Sequence, residues 1–325
     1  MCPHPRLFAS LTFLALFSLP AIAATPAYPD RPIRLIVPYA PGGNVDITAR
    51  TVAPGMSEAL GQQVVIDNRG GAGGRIGTAM AAKAPADGYT LVLGANGVFV
   101  VQPAFVDDIE YKPLRDFVFT SPISLMPGVL VVHPSVPVRT VKDLIALATA
   151  RPNTLLMASA GVGSNVHLTG ELFQSMAKVK FVHVPYKGGG ASSADLIGGQ
   201  VHLSFEPIST PIAHIRSGKL RAVAVTSRTR AVAFPNLPTI DESGVPGFES
   251  TTSTAIAMPA ATPKDVVQKL RDALSGALDK PGVRQTFEKS GGQLFRSTPD
   301  EFVRKLQEEH ARWVRIRKET GIRIE

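Results

Sequence analysis

Two short stretches place glycines and small polar residues where an apolar run meets an amphipathic one. The first is Pro38-Tyr39-Ala40-Pro41-Gly42-Gly43-Asn44-Val45-Asp46. The second is Ser159-Ala160-Gly161-Val162-Gly163-Ser164-Asn165-Val166-His167. A helix that starts at such a corner leaves its first amide N–H groups unpaired, at the partly positive end of its aligned peptide dipoles. Glycine lets an anion come close to that backbone. The chemistry implied is capture of a carboxylate by neutral donors, with no arginine required. Asp46 falls in the first helical turn, where its carboxylate either complements the dipole or faces a ligand. Ser164 is placed as an N-cap, so its hydroxyl or the neighbouring amides could meet a ligand oxygen.

Other chemistries fit these residues less well. Ser164 and His167 could form a catalytic pair, but the G-x-S-x-G elbow is absent and triads are not usually assembled three residues apart on one helix. A packed, hydrogen-bonded His167 is the plainer reading. Arg69-Gly70-Gly71-Ala72-Gly73-Gly74-Arg75-Ile76-Gly77 has the glycines of a phosphate loop but not its Lys-Ser/Thr pair, and reads as a turn into a helix. Gly94-Ala95-Asn96-Gly97 follows a strand and either presents Asn96 to the same cleft or forms an ordinary turn. The seven histidines are dispersed without metal-ligand spacing, so neither a metal nor a cofactor is expected.

Strand-like and helix-like runs alternate around these corners. Residues 33–37 are apolar and β-branched. Val45, Ala49, Val52, Ala53, Met56 and Leu60 then recur at helical spacing. Further strands are expected at 64–66 and 89–93, with a helix between them ending near residue 84. The pattern resumes with strands at 155–159, 181–185, 201–205 and 220–226, and helices at 165–177 and 191–197. This order predicts an α/β fold with a largely parallel sheet. Thr140 with Asp143 marks a helix start, as does Thr298 with Glu301 and Pro299. Thr262 is expected to cap a helix whose first residue is Pro263. Pro54-Gly55 falls inside the first helical pattern and predicts a kink or an early stop. The last helix should turn Phe302, Leu306 and Trp313 toward a core.

Composition narrows the class. The first 23 residues read as a cleavable signal peptide: Arg6, an apolar run from Leu7 to Leu19, Pro20, then Ala21-Ile22-Ala23. That run is shorter than the roughly 20 residues a spanning helix needs. The single cysteine, Cys2, lies in this leader, which removes disulfides and thiolate chemistry from the mature chain. The net charge of +8, to which Arg6 contributes one, favours anions in general. The basic residues are scattered, and five tyrosines and one tryptophan offer little for base stacking, so no nucleic-acid partner is expected.

The ordered set of motifs resembles the Bug family, the periplasmic solute receptors of tripartite tricarboxylate transporters. The pieces include YPDRPIRLIVPYAPGGNVDITAR, NRGGAGGRIGT, ADGYTLVLG, ASAGVGSNVHLTGELF, HVPYKGGGASSADLIGGQVHLSFEP and MPAATPKDVVQKL. The resemblance implies a type II periplasmic-binding fold, two α/β lobes joined by crossing strands around a ligand cleft. Lobe 1 would comprise 24–124 and about 251–325, and lobe 2 about 125–250. It implies a monomeric, non-enzymatic receptor, exported to the periplasm, that passes a small carboxylate to a membrane permease. A sensor component and a serine hydrolase are the competing readings.

By the same resemblance, one ligand loop comprises Tyr39, Ala40, Gly42, Gly43, Asn44 and Asp46. The other comprises Ser159, Ala160, Gly161, Gly163, Ser164, Asn165 and His167. A third turn adds Ala95, Asn96 and Gly97, and Tyr186 and Glu206 stand at the cleft edge. The chain departs from the family in four places, one of them Pro54-Gly55 inside a helix the family usually continues. Gly70 replaces a usual proline, Glu206 a usual aspartate, and Ser253-Thr254 a usual tryptophan-aromatic pair.

Overall fold

A computed structural model of the chain describes residues 28–324, so the leader, with Cys2 and Arg6, lies outside the described residues. Ten strands follow in chain order: β1 (Ile33–Val37), β2 (Val64–Asn68), β3 (Thr90–Ala95), β4 (Phe117–Val132), β5 (Leu156–Ser159), β6 (Val182–Pro185), β7 (Leu203–Pro207), β8 (Arg221–Val225), β9 (Thr251–Pro259) and β10 (Gln293–Leu294). The helices are α1 (Asn44–Leu60), α2 (Arg75–Ala82), α3 (Gln102–Phe105), α4 (Pro113–Asp116), α5 (Val141–Ala150), α6 (Asn165–Ala177), α7 (Gly189–Ile197), α8 (Ile212–Arg216), α9 (Lys264–Asp279), α10 (Pro281–Lys289) and α11 (Pro299–Thr320). No helix among the described residues is long and apolar enough to cross a membrane.

The strand order is β2-β1-β3-β9-β4-β7-β5-β6, with β8 and β10 also paired to β4. Two parallel blocks lie at the ends: β2-β1-β3 on one side and β7-β5-β6 on the other. The junction between them is antiparallel. Residues 117–127 of β4 pair with β9, whereas Gly128–Val132 pairs with β7. A single 16-residue strand therefore belongs to both halves of the molecule.

Sequence periodicity does not reveal β4 or β9. Pro122, Pro127 and Gly128 interrupt β4, and its register against β9 slips on both sides of Pro122. Proline removes a ladder donor, and such slips bend a strand. β9 carries Ser253-Thr254 where the resemblance implies an aromatic pair. In its place Thr254 and Ser124 share a buried hydroxyl–hydroxyl bond of 2.7 Å across β9 and β4.

Two local expectations are corrected. α1 does not stop at Pro54 but runs to Leu60. α1 packs along α9, and a Cβ on Gly55 would lie 2.8 Å from Ala277 Cβ, so the glycine beside the proline permits this close crossing. The helix after Thr262 begins at Lys264, with Pro263 as its cap residue. The Thr262 hydroxyl instead donates to the Pro259 carbonyl at 2.7 Å. Reciprocal capping boxes do form at Thr140 with Asp143 and at Thr298 with Glu301. Phe302, Leu306 and Trp313 are buried.

Candidate functional site

The two glycine corners meet. Tyr39, Gly43, Asn44 and Val45 come from the β1–α1 corner. Ala160, Asn165 and Val166 come from the β5–α6 corner, and Ala95 ends β3; all line one small cavity. Its floor is Glu206, Pro207 and Thr210, and Thr252 of β9 closes the remaining side. The first turns of α1 and α6, whose amides lack intrahelical carbonyl acceptors, begin at this junction, and the His167 amide is taken by the Ser164 cap. A third helix start arrives with them, because Gly189 at the head of α7 also lines the cavity. The space left is about 40 Å³, room for a few water molecules.

The polar inventory of the wall is unusual. Among the described residues, Asn44 Nδ2, Asn165 Oδ1, Thr210 Oγ1 and Glu206 Oε2 are buried without a protein hydrogen-bond partner. Buried polar atoms are normally paired, so four on one cavity wall point to a ligand or to water. Among the described residues, no lysine, arginine or histidine lines the cavity. Asn44 Oδ1 is taken by the Ser209 hydroxyl at 2.9 Å, which leaves the Asn44 amide N–H₂ facing inward.

Several expected site residues hold the loops in shape instead of lining the cavity. The buried Asp46 carboxylate accepts from the Gly42 amide at 2.9 Å, Arg50 Nε at 2.9 Å and Asn68 Nδ2 at 3.0 Å. Burial alone would raise its pKa, but these hydrogen bonds outweigh burial and hold it below the ordinary carboxylate value of 3.8. Its contribution to stability is therefore present above that value and is lost as pH falls through the lowered folded value. Asp46→Ala leaves the Gly42 amide, Arg50 and Asn68 without this acceptor, and we expect it to destabilise the protein by about 2 kcal/mol and to weaken binding. Thermal melts at neutral pH and at pH 3 check this, because the gap between parent and variant should narrow in acid.

The second corner is shaped in a comparable way. Ser164 Oγ accepts the His167 amide N–H at 3.2 Å and caps α6. His167 Nδ1 accepts the Gly163 amide at 3.1 Å, and its ring stacks on His183 with centroids 3.8 Å apart. Burial, and then His183, lowers the His167 pKa to about 3; burial lowers His183 to about 4. Both rings are neutral at physiological pH. Ser159 Oγ lies 2.6 Å from His183 Nε2 behind the loop. Asn96 donates to the Thr251 carbonyl at 3.0 Å, and Gly97 packs against the backbone of Asn165. The Tyr186 hydroxyl donates to Asp195 at 2.7 Å, away from the cavity wall.

The remaining corner residues form a seam between the halves. The Ala40 amide donates to the Lys187 carbonyl at 2.9 Å. A Cβ on Gly190 would lie 2.0 Å from the Pro41 carbonyl oxygen, and one on Gly70 would lie 2.6 Å from the Lys187 carbonyl oxygen. Gly161 and Gly42 touch the same seam from either side. The glycine at position 70 thus has a local reason: a side chain there would hold residue 187 away. Sequence reasoning missed Gly189, Thr210 and Thr252. The Gly188-Gly189-Gly190 run was its one available signal; Thr210 and Thr252 had none, being ordinary polar residues outside any motif.

The model for the tripartite tricarboxylate transporter family receptor matches residues 48–322. Protein BugT of Bordetella pertussis is 37% identical over 313 residues, 96% of each chain. A Rhodopseudomonas palustris protein solved with adipate superposes with a TM-score of 0.87 at 35% identity, covering 91% of this chain and 99% of that one. MatC from the same species, solved with bound malate, superposes with a TM-score of 0.86 at 31% identity, covering 89% and 99%.

Proposed function

Because this chain belongs to the tripartite tricarboxylate transporter family of receptors, we propose that it is exported to the periplasm, captures a small carboxylate between its two halves and presents it to a membrane permease. The observation that carries this reading is the cluster of unpartnered buried polar atoms contributed by both halves, beside three helix starts. Asn44 Nδ2, the Thr210 hydroxyl and first-turn amides supply neutral donors for a carboxylate. Relatives solved with adipate and malate support the same ligand class.

Capture works as a hinge cycle of a monomer. The lobes are residues 24–124 with about 251–325, and about 125–250. β4 and β9 are the crossing strands, and the proline-interrupted part of β4 is the flexing segment. An open form exposes both corners. Ligand bound to one of them then favours closure, because only the closed form offers the other corner's donors. A free space of about 40 Å³ is too small for a dicarboxylate, so the halves part to admit one.

Binding without turnover is favoured by the hydrogen bonding at the second corner. Ser164 Oγ caps a helix and His167 Nδ1 holds the Gly163 amide, so neither is arranged as a nucleophile with its base. The test is calorimetry and thermal shift of the mature protein against a carboxylate panel that includes adipate and malate. A true ligand at about 100 times its Kd should add about 2.7 kcal/mol of stability, with little dependence on salt. A flat response to the whole panel would sink the reading.

A further inference from the structure

Glu206 is an unexpected group on the floor of a site that takes anions. It is 1% exposed and sits on β7. Its Oε1 accepts from Ser192 Oγ at 2.8 Å and Ser204 Oγ at 3.1 Å. Its Oε2 has no protein partner and faces the cavity beside Gly189 and Thr210. The two serines do not require an ionised acid. With its proton on Oε2, a neutral carboxyl keeps Oε1 as a carbonyl-type acceptor for both hydroxyls.

Among the described residues, no cation neutralises this carboxyl. From α6, His167 is engaged with the Gly163 amide and Glu171 with Gln174. From β6, His183 lies against Ser159, and from α7, Asp195 holds Tyr186. Asp46 of α1 is bound to Arg50. Neither β4 nor β5 carries a titratable residue. Tyr39, on the opposite wall, is kept neutral by burial. His214 and Arg216 of α8, and Lys187, lie outside the cavity lining.

We propose that Glu206 enters the closed, liganded state as a neutral acid that donates its Oε2 hydrogen to the ligand carboxylate, so that capture of the anion takes up one proton at this residue. Two carboxylates in one dry site cannot both stay ionised. A neutral acid facing a carboxylate instead makes a short charge-assisted O–H···O bond. The proton comes from the buffer, and the ligand remains a carboxylate. Burial, opposed by the two serine hydrogen bonds, raises the pKa of Glu206 to about 7, which agrees with that assignment. The device would select a carboxylate over an ammonium group at this end of the ligand. The inference rests on the carboxylate-receptor reading.

The experiment is calorimetry of adipate and of malate binding between about pH 6.5 and 9, above the ordinary carboxylic acid range, in buffers of different ionisation enthalpy. At pH 8 nearly one proton should be taken up per ligand. Affinity should fall about 50-fold from pH 7 to pH 9, as expected for one proton on a group titrating near 7. Glu206→Gln, whose amide donates at every pH, should flatten that profile and abolish the proton uptake. Binding with no proton uptake at pH 8 overturns the proposal and leaves the receptor reading standing. Affinity for either acid that rises with pH also overturns it. No heat with either acid or with any other acid of the panel at any pH overturns the carboxylate reading and this proposal with it.

Discussion

Gly190→Ala weakens carboxylate capture by about 10- to 100-fold while the ligand-free protein melts at or slightly above the parent temperature. The methyl group it adds would sit 2.0 Å from the Pro41 carbonyl oxygen and 3.1 Å from its carbon, both backbone atoms of the opposite half. Neither can swing aside as a flexible side chain would. The halves must stay slightly apart, or the β1–α1 corner must shift. Forced overpacking of this kind costs about 1–3 kcal/mol, and each 1.4 kcal/mol is a factor of about ten in affinity. In the proposed open form this clash is absent. Gly190 lies in the first turn of α7, and alanine there improves helix propensity by up to about 1 kcal/mol. Calorimetry reads the loss of affinity, and small-angle scattering should show that ligand no longer compacts the protein fully. Unchanged affinity would mean that closure does not use this seam, and a collapsed melting temperature would mean that the residue matters to folding instead.

The second large effect is on stability and has a defined pH window. The folded pKa of Glu206 is raised from its ordinary 4.5 to about 7 by burial. The folded protein therefore holds a proton that the unfolded chain releases over that interval. Its contribution is complete below 4.5 and is lost as pH rises through about 7, above which the folded state carries a buried charge. A shift of that size corresponds to about 3 kcal/mol. Glu206→Gln removes this titration, so its ligand-free stability relative to the parent should improve by about 3 kcal/mol between pH 4.5 and pH 8, a shift of roughly 5 °C in a protein of this size. Melting curves of both proteins across that range check the sign and the size. Asp46 acts in the opposite sense and at lower pH, so the two contributions do not overlap. A parent–variant gap that stays constant with pH would show that Glu206 is not held in the dry environment its burial indicates.

Both predictions concern residues whose importance is hard to read from the chain. Gly190 is one of three consecutive glycines at a turn, and nothing within ten residues of it indicates Pro41. Glu206 lies in a strand of otherwise small and apolar residues, and only its match to a family position marked it. Its protonation depends on burial, on two serines and on the lack of a nearby cation, each of which is a property of the folded surroundings. Corner residues were easier to find than to assign. Asn44 and Asn165 line the cavity, whereas Asp46, Ser164 and His167, from the same motifs, support the corners from behind.

What the chain determined by itself is local. Apolar residues at spacing two or near four, glycines at strand–helix corners, and the Thr140 and Thr298 boxes act over a few residues, so most of the parallel strands, α1, α6 and α11 could be read directly. The long crossing strands β4 and β9 could not, because their prolines and small residues are stabilised by partners more than a hundred positions away. The tertiary structure alone brought a third helix start, Thr252 and an uncompensated carboxyl to one cavity. The physical reason is that hydrogen-bond satisfaction and desolvation depend on which atoms surround a group in space, and neighbours in sequence supply only a few of those atoms.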